Sequence, residues 1–402
     1  VAISEQQDTA FAARTEGAKT PPPIPALDDM LRGLEARADL LREDARRSDS
    51  TGGIGAEAVA TLDALGCHRI TAPRRVGGMA AGAAAVVRAS LALSRLHPAA
   101  AWNMVASSSH IATAQCLDVD PWAGLAEGED LRMCGSYGSG DARVRRAGDE
   151  YVLTGTWTMA SGSQHAQWAT VDAQDDERGR VVMILPVERL EVLDTWRSLG
   201  LRGTASNTLR AEGIRVPEGA VIEFERCMAR LDAETRYLRL PKVLPTSMGF
   251  AAVAIGAGTA LAEEVARRGG FSPRSYPAAA AGPDPETVYA QQLGEAGTGL
   301  AAAEELLVRL AEGLDAAAET EPGIAPALQL RTRSLLGRVV RDTGEAVERL
   351  AGLAGTALTL EDTELGRLWR DCRSVLSHGA LTPATGFGMA GHRALHAAAA
   401  QG

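Results

Sequence analysis

Apolar residues first recur at helical spacing from Leu27, where Leu27, Met30, Leu31, Leu34, Ala38 and Leu41 share one face and predict a single opening helix. Asp28 and Asp29 stand at its start, where the helix dipole favours negative charge. The same periodicity predicts helices over about 55–66, 80–96 and 99–117. Between the first two, GCHRITAPRRVGG at 66–78 carries turn signals and no helical period. Near residue 130 the pattern changes. Short β-like runs, YVLTGTW, QWATVDA, RVVMILPV, LEVLDTW and NTLRAEGIRV, follow one another to about residue 218, separated by Gly and Asp. Beyond Glu223 helical periodicity returns over about 242–268, 285–315, 327–354 and 361–378.

This order predicts a mainly α chain with an inserted β-domain. A polar, mobile tail over 1–25 precedes an N-terminal helical domain over 26–128, a middle β-domain over 129–222 and a C-terminal helical bundle over 223–402. Aromatics are only 4% of residues, so the core must be built from Ala, Leu and Val, which favours closely packed helices.

Charge and cysteine usage exclude several function classes. A net charge of −10 argues against a nucleic-acid surface, which needs clustered cations. The five cysteines are widely spaced, with no CxxC and no Cys/His cluster, so neither zinc nor a disulfide framework is expected. The uncharged stretch 249–262 is short and rich in Gly and Ala, and predicts a buried helix, not a membrane span. No signal peptide is visible at the N-terminus, and a cytoplasmic location is expected.

The chemistry-bearing residues fall into a few segments. CGSYGSGD at 134–141 reads as a loop of small residues whose backbone N–H groups allow a close approach. Trp157, Ser161 and Ser163 follow in the next β-like run. His110 lies in AAAWNMVASSSHIATAQ, a helix with a polar stripe flanked by Ser107 and Ser109. His378 follows Arg370-Asp371 by about two helical turns and is read as projecting from the same side of that helix. No GxGxxG follows a predicted strand and no P-loop occurs. The Gly-x-Gly of AIGAGTALAE lies in a helical context, where close packing explains it.

Five segments together resemble the acyl-CoA dehydrogenase superfamily over nearly the whole chain: LGCHRITAPRRVGG, SRLHPAAAWNM, GTWTMASGSQHAQW, SLGLRGTASNTLRAEGIRVPE and LWRDCRSVLSH. Within it the chain looks most like the two-component flavin monooxygenases. The resemblance implies an N-terminal helical domain, a small middle β-barrel and a C-terminal four-helix bundle. It places Gly135 and Ser136 beside the flavin, Trp157 against the isoalloxazine, Ser161 or its neighbour Ser163 at N5, and Arg370 near the cofactor. Trp102 and His110 would face substrate. His378 would stand near the flavin C4a, where a hydroperoxide forms.

The resemblance further implies diffusible reduced FMN or reduced FAD, O2 as cosubstrate, a separate NAD(P)H-flavin reductase, and a homo-oligomer, tetramer or dimer. One departure from the family's dehydrogenases separates the readings. The Glu they carry nine residues after the Arg has no counterpart, because Gly379 stands there and no carboxylate lies between Cys372 and the C-terminus. Glu263 and Glu264 lie at the far end of the helix that would carry a relocated base, beside Arg267 and Arg268. The region 271–300 also lacks the Arg-then-Phe-Gly that grips FAD pyrophosphate, Arg274 being the nearest candidate. An FAD-containing acyl-CoA dehydrogenase with a relocated base is the alternative, and a non-catalytic relative the third reading. Phenols, polycycles, amino sugars and sulfur heterocycles all fit as substrates.

Overall fold

The computed structural model describes residues 26–117, 131–138, 140–231, 235–269, 284–320 and 323–399. The expected tail over 1–25 and Arg274 lie outside them. The opening helix is two helices, α1 (Leu27–Ala36) and α2 (Ala38–Thr51), broken at Arg37, whose φ of −112° and ψ of 15° leave the helical region. Met30, Leu34, Ala38 and Leu41 still point inward across the break, so the apolar spacing survives where the backbone does not. No Gly or Pro marks this joint in the sequence. Next come α3 (Ala56–Ala64), α4 (Ala83–Ser94) and α5 (Pro98–Ala114).

Helix α5 is buried all round except at Ser109, so its polar stripe of Asn103, Ser107 and His110 faces other elements and not solvent. It starts with Pro98 at the first turn, and His97 caps it by accepting the Ala100 N–H at Nδ1. His97 Nε2 in turn lies 3.1 Å from Asp44 of α2. Burial opposes ionisation of Asp44, but hydrogen bonds from His97, Arg47 and the Gly55 N–H outweigh it and hold the carboxyl at about 2. A folded-state value below the unfolded one means that this stabilisation is complete above about pH 4. It is lost as pH falls toward 2, and at neutral pH it amounts to about 2 kcal/mol. Melting temperatures from pH 5 to pH 2 should therefore fall less steeply in Asp44→Asn than in the parent protein, which is the more stable at pH 5.

The middle region is a mixed parallel and antiparallel sheet. Strands β1 (Met133–Ser136), β2 (Arg143–Ala147), β3 (Glu150–Ala160), β4 (Trp168–Asp175), β5 (Gly179–Pro186), β6 (Glu191–Leu193), β7 (Asn207–Pro217) and β8 (Val221–Glu223) run in the order β6-β7-β3-β2-β4-β5-β8. β1 pairs in parallel with β4, setting Gly135 opposite Thr170. Part of the segment read as a loop, 134–136, is thus strand, and β2 is a strand the sequence reading missed, its RVRRA alternation being too polar to signal one. LEVLDTW yields a strand only over Glu191–Leu193.

A short helix α6 (Phe224–Ala229) leads to α7 (Val243–Arg268), α8 (Pro285–Thr320), α9 (Pro326–Ala354), α10 (Glu364–Leu376) and α11 (Pro383–Ala399). α7 is long and apolar enough to cross a membrane by length and composition, yet 83% of its most apolar window is buried within the protein. Its glycines permit that burial. A Cβ at Gly256 would lie 2.7 Å from the Leu91 carbonyl oxygen of α4, so the Gly-x-Gly serves helix contact, as expected. The mainly α architecture with an inserted β-sheet is the one the sequence predicts.

Candidate active site

Two clusters form where α5 meets the sheet and the C-terminal helices. In the first, Trp102 of α5 stacks on Phe250 of α7 with ring centroids 4.1 Å apart, and the His378 ring meets Trp102 edge-on at 5.2 Å and Phe250 at 4.9 Å. His378 does not project from α10. The helix ends at Leu376, and His378 caps the short turn Gly379–Leu381, its Nδ1 accepting the Ala380 N–H at 3.3 Å. The break redirects the side chain toward α5 and α7, and packing against their rings pushes its pKa below the ordinary value. Phe250 carried no signal in the sequence, since an aromatic in an Ala-rich helix reads as core.

Ser161 joins this cluster through hydrogen bonds. The Trp102 indole N–H donates to Ser161 Oγ at 3.0 Å, and Ser161 Oγ lies 2.8 Å from Ser206 Oγ. Ser206 Oγ lies 2.7 Å from Thr204 Oγ1, which donates to the Leu201 carbonyl at 2.8 Å. The polarity of this chain follows from its end. A carbonyl only accepts, so Thr204 spends its hydrogen there, Ser206 donates to Thr204, and Ser161 donates to Ser206. Ser161 then offers outward one unused lone pair. Met159, two residues earlier, is 67% exposed at a φ of 61°, an apolar side chain held outward by the irregular pairing of β3 with β7.

The loop that carries Thr204 and Ser206 is fastened by α10. Asp371 Oδ1 accepts the Leu201 N–H at 2.6 Å, and Asp371 Oδ2 takes Arg367 at 3.1 Å. A Cβ at Gly200 would lie 2.2 Å from the Arg370 carbonyl oxygen. Arg370 itself donates to Asp49 at 2.6 Å and to the Glu361 carbonyl at 3.1 Å. Its guanidinium thus ties α10 to α2, and its link to the cluster runs through the loop it packs on.

The second cluster surrounds His110. Its Nδ1 lies 2.6 Å from Thr170 Oγ1 and 3.3 Å from the Tyr137 hydroxyl, which is itself 2.7 Å from Thr170 Oγ1 and donates to Thr113 at 3.1 Å. Burial holds the imidazole down at about 4, against a weaker contact with the Gly135 backbone, so it is neutral throughout the physiological range. A Cβ at Gly135 would lie 2.7 Å from the His110 ring, and only glycine lets β1 pass so close. Ser136 follows at the partly buried end of β1, opposite Val171.

Two residues expected at the flavin are engaged elsewhere. Trp157 is 1% exposed, with its indole N–H donating to the Asp172 carbonyl at 2.7 Å inside the sheet's core. Ser163 is buried and donates to the Ala205 carbonyl at 2.9 Å. Of the two candidate serines, Ser161 is the one whose hydroxyl reaches the aromatic cluster. Exposed Glu263 pairs with Arg95, and partly buried Glu264 pairs with Arg267. Among the described residues no group of three or more His, Cys, Asp or Glu side chains forms a metal site.

The acyl-CoA dehydrogenase C-terminal domain family matches residues 248–383. The oxygenase component of the FADH(2)-dependent resorcinol hydroxylase of Rhizobium sp. (strain MTP-10005) is 32% identical over 197 residues, 46% of this chain and 47% of that protein. HsaA, the oxygenase subunit of a flavin-dependent monooxygenase from Rhodococcus jostii (strain RHA1), is 27% identical over 90% of this chain and 97% of its own length. The chain therefore spans about half the length of the first and nearly all of the second. In fold it is similar to XiaF from Streptomyces sp., solved in complex with FADH2 and glycerol, at a TM-score of 0.80 and 21% identity, covering 96% of this chain and 97% of that one. Residues 248–383 thus resemble the acyl-CoA dehydrogenase C-terminal domain, and the chain as a whole is similar to oxygenase components of flavin-dependent monooxygenases.

Proposed function

We propose that this chain is an oxidoreductase that takes reduced FMN or reduced FAD from a separate NAD(P)H-flavin reductase and uses O2 to oxygenate a small aromatic substrate. The observation that carries this reading is the outward lone pair of Ser161 beside Trp102, Phe250 and His378. Reduced flavin bears a hydrogen on N5, whereas oxidised flavin bears a lone pair there. A hydroxyl whose own hydrogen is committed to Ser206 accepts from the first and repels the second. The apolar surfaces of Met159, Trp102 and Phe250 suit a flat ring. Bound reduced flavin supplies the two electrons that activate dioxygen.

The roles of the chain's residues follow. Ser161 holds the N5 hydrogen in place, and Gly135 and Ser136 line the approach. Neutral His378 manages a proton where oxygen reacts. Neutral His110, fixed by Thr170 and Tyr137, accepts a hydrogen bond from a phenolic hydroxyl, with Trp102 as the wall of the substrate space. A phenol is the preferred substrate class, since a neutral buried imidazole suits a group that must lose a proton. The resorcinol hydroxylase named above carries a phenol in its name. The dehydrogenase reading lacks a free carboxylate base, because the two candidate glutamates are ion-paired with Arg95 and Arg267.

Exposed Phe387, Met389 and Leu395 on α11 favour a dimer or tetramer built through the C-terminal helices. A cytoplasmic setting fits the reductase it needs. The test supplies a flavin reductase, NADH, FMN or FAD, and a panel of phenols under 18O2. One 18O atom in the product is the expected result. No label in any product, together with flavin bleaching by an acyl-CoA thioester, would replace this reading with the dehydrogenase one.

A further inference from the structure

Two of the five cysteines meet at the end of α5. Cys116 Sγ lies 3.3 Å from the Ala112 carbonyl, and Cys227 Sγ of α6 lies 3.9 Å from the neighbouring Thr113 carbonyl. The two sulfurs thus lie against successive carbonyls of one helix, and both cysteines are free and buried. Beside them sits Lys242, only 6% exposed. Its ammonium donates to the Cys227 carbonyl at 2.5 Å and the Arg230 carbonyl at 2.9 Å. Arg230 donates to the Cys116 carbonyl at 2.7 Å.

Among the described residues no carboxylate pairs with Lys242. A buried ammonium is costly without a nearby anion, and the positive charge beside the two cysteines favours a thiolate there. The hydrogen bond from Cys227 and the charges of Lys242 and Arg230 hold Cys116 down at about 7 despite burial. Cys227 is pushed upward by the same hydrogen bond and by burial. Burial drives Cys67 and Cys134 up to about 12 and raises Cys372, with Asp63 adding to the rise at Cys67 and Asp371 to that at Cys372. One nucleophilic sulfur and one resting thiol thus share a contact, and the other three cysteines are inert controls.

We propose that Cys116 and Cys227 are a reversible oxidation site that closes to a disulfide on reaction with hydrogen peroxide. The Cys116 thiolate attacks one peroxide oxygen, the O–O bond breaks, and the departing hydroxide takes a proton to leave as water. Cys116 is then a sulfenic acid. The Cys227 sulfur attacks it, the S–S bond forms as the S–O bond breaks, and the hydroxide leaves as water with the Cys227 proton. Two thiols and one peroxide become one disulfide and two waters.

The site is wired to the His110 cluster. Phe224 lies one helical turn before Cys227 on α6, with its ring 6.0 Å edge-on from Tyr137 and 3.6 Å beneath the Arg180 guanidinium. Tyr137 in turn holds His110 and Thr113. Closing the disulfide fixes α6 against the end of α5 and so acts on the residues that orient His110.

The experiment treats the full reduced chain with hydrogen peroxide, blocks remaining thiols with N-ethylmaleimide under denaturing conditions, and maps peptides by mass. A Cys116–Cys227 cross-linked peptide two hydrogens lighter is expected, reversed by dithiothreitol, with Cys67, Cys134 and Cys372 fully alkylated. Lys242→Gln should slow cross-linking by roughly tenfold as the thiolate fraction falls. Cys227→Ser should leave a Cys116 sulfenic acid that dimedone traps. Five alkylated cysteines after peroxide, a sulfinic Cys116 with no cross-link in the parent chain, or equal oxidation of all five would each overturn the proposal.

Discussion

Ser161→Ala is expected to divert reducing equivalents from product to hydrogen peroxide and to erode the preference for reduced over oxidised flavin. The hydroxyl accepts the Trp102 indole N–H and donates to Ser206. Alanine leaves both without that partner and removes the acceptor from the N5 position. Losing such a bond costs about 1–3 kcal/mol, so the ratio of dissociation constants for the two flavin states should shift by roughly tenfold or more. Binding titrations with each redox state read this directly, without turnover. Product yield and peroxide release per NADH read the diversion.

Ser163→Ala supplies the control that separates the two serines. Its hydroxyl is spent on the Ala205 carbonyl, so it should lower stability by about 1 kcal/mol and leave flavin selectivity unchanged. If Ser163→Ala diverts electrons and Ser161→Ala does not, the assignment is reversed. Thr204→Val should weaken selectivity in the same direction as Ser161→Ala, because it frees the polarity of the whole chain without touching the ligand.

His110→Asn is the second substitution with a large expected effect. Loss of a positioned general base lowers rates by about 10²–10⁴-fold, and the fall should appear in oxygenation of a phenol while reduced-flavin affinity stays within error. The sign of the pH dependence is fixed by burial. An imidazole held at about 4 is already neutral well below physiological pH, so between pH 6 and 9 the parent rate should show no titration belonging to His110. An inflection in that window that disappears in His110→Asn would show that the imidazole titrates there and that the cluster is more open to water than its hydrogen bonds indicate.

Much of the fold was legible because apolar periodicity reports which face of an element is buried. Helices α5, α7, α8 and α9 begin and end within a few residues of the expected positions, apart from the extra turn that carries α8 to Thr320. Misses came where that signal is weak. β2 exposes Arg143, Arg145 and Arg146 and looks polar, and the break at Arg37 leaves the apolar face continuous. The site was legible in part. Trp102, Ser161 and His378 were singled out from separate segments, and the fold brings them together through one indole hydrogen bond and two ring contacts. Phe250, Ser206, Thr204, Tyr137 and Thr170 were not singled out, since nothing about a Phe in a helix or a Thr in a strand distinguishes a site residue from core.

By itself the sequence determined the order of helical and β segments, the absence of a carboxylate after the Arg-Asp pair, and the set of candidate side chains. These are local properties, written in spacing and residue type. Only the tertiary structure decided which serine is available, that Trp157 belongs to the core, and that His378 turns off the end of its helix to meet α5 and α7. It also decided that Cys116 and Cys227, 111 positions apart, set their sulfurs against successive carbonyls at the end of α5. Such choices depend on where each hydroxyl, indole and thiol finds its partner, and those partners are set by packing between elements distant in the chain.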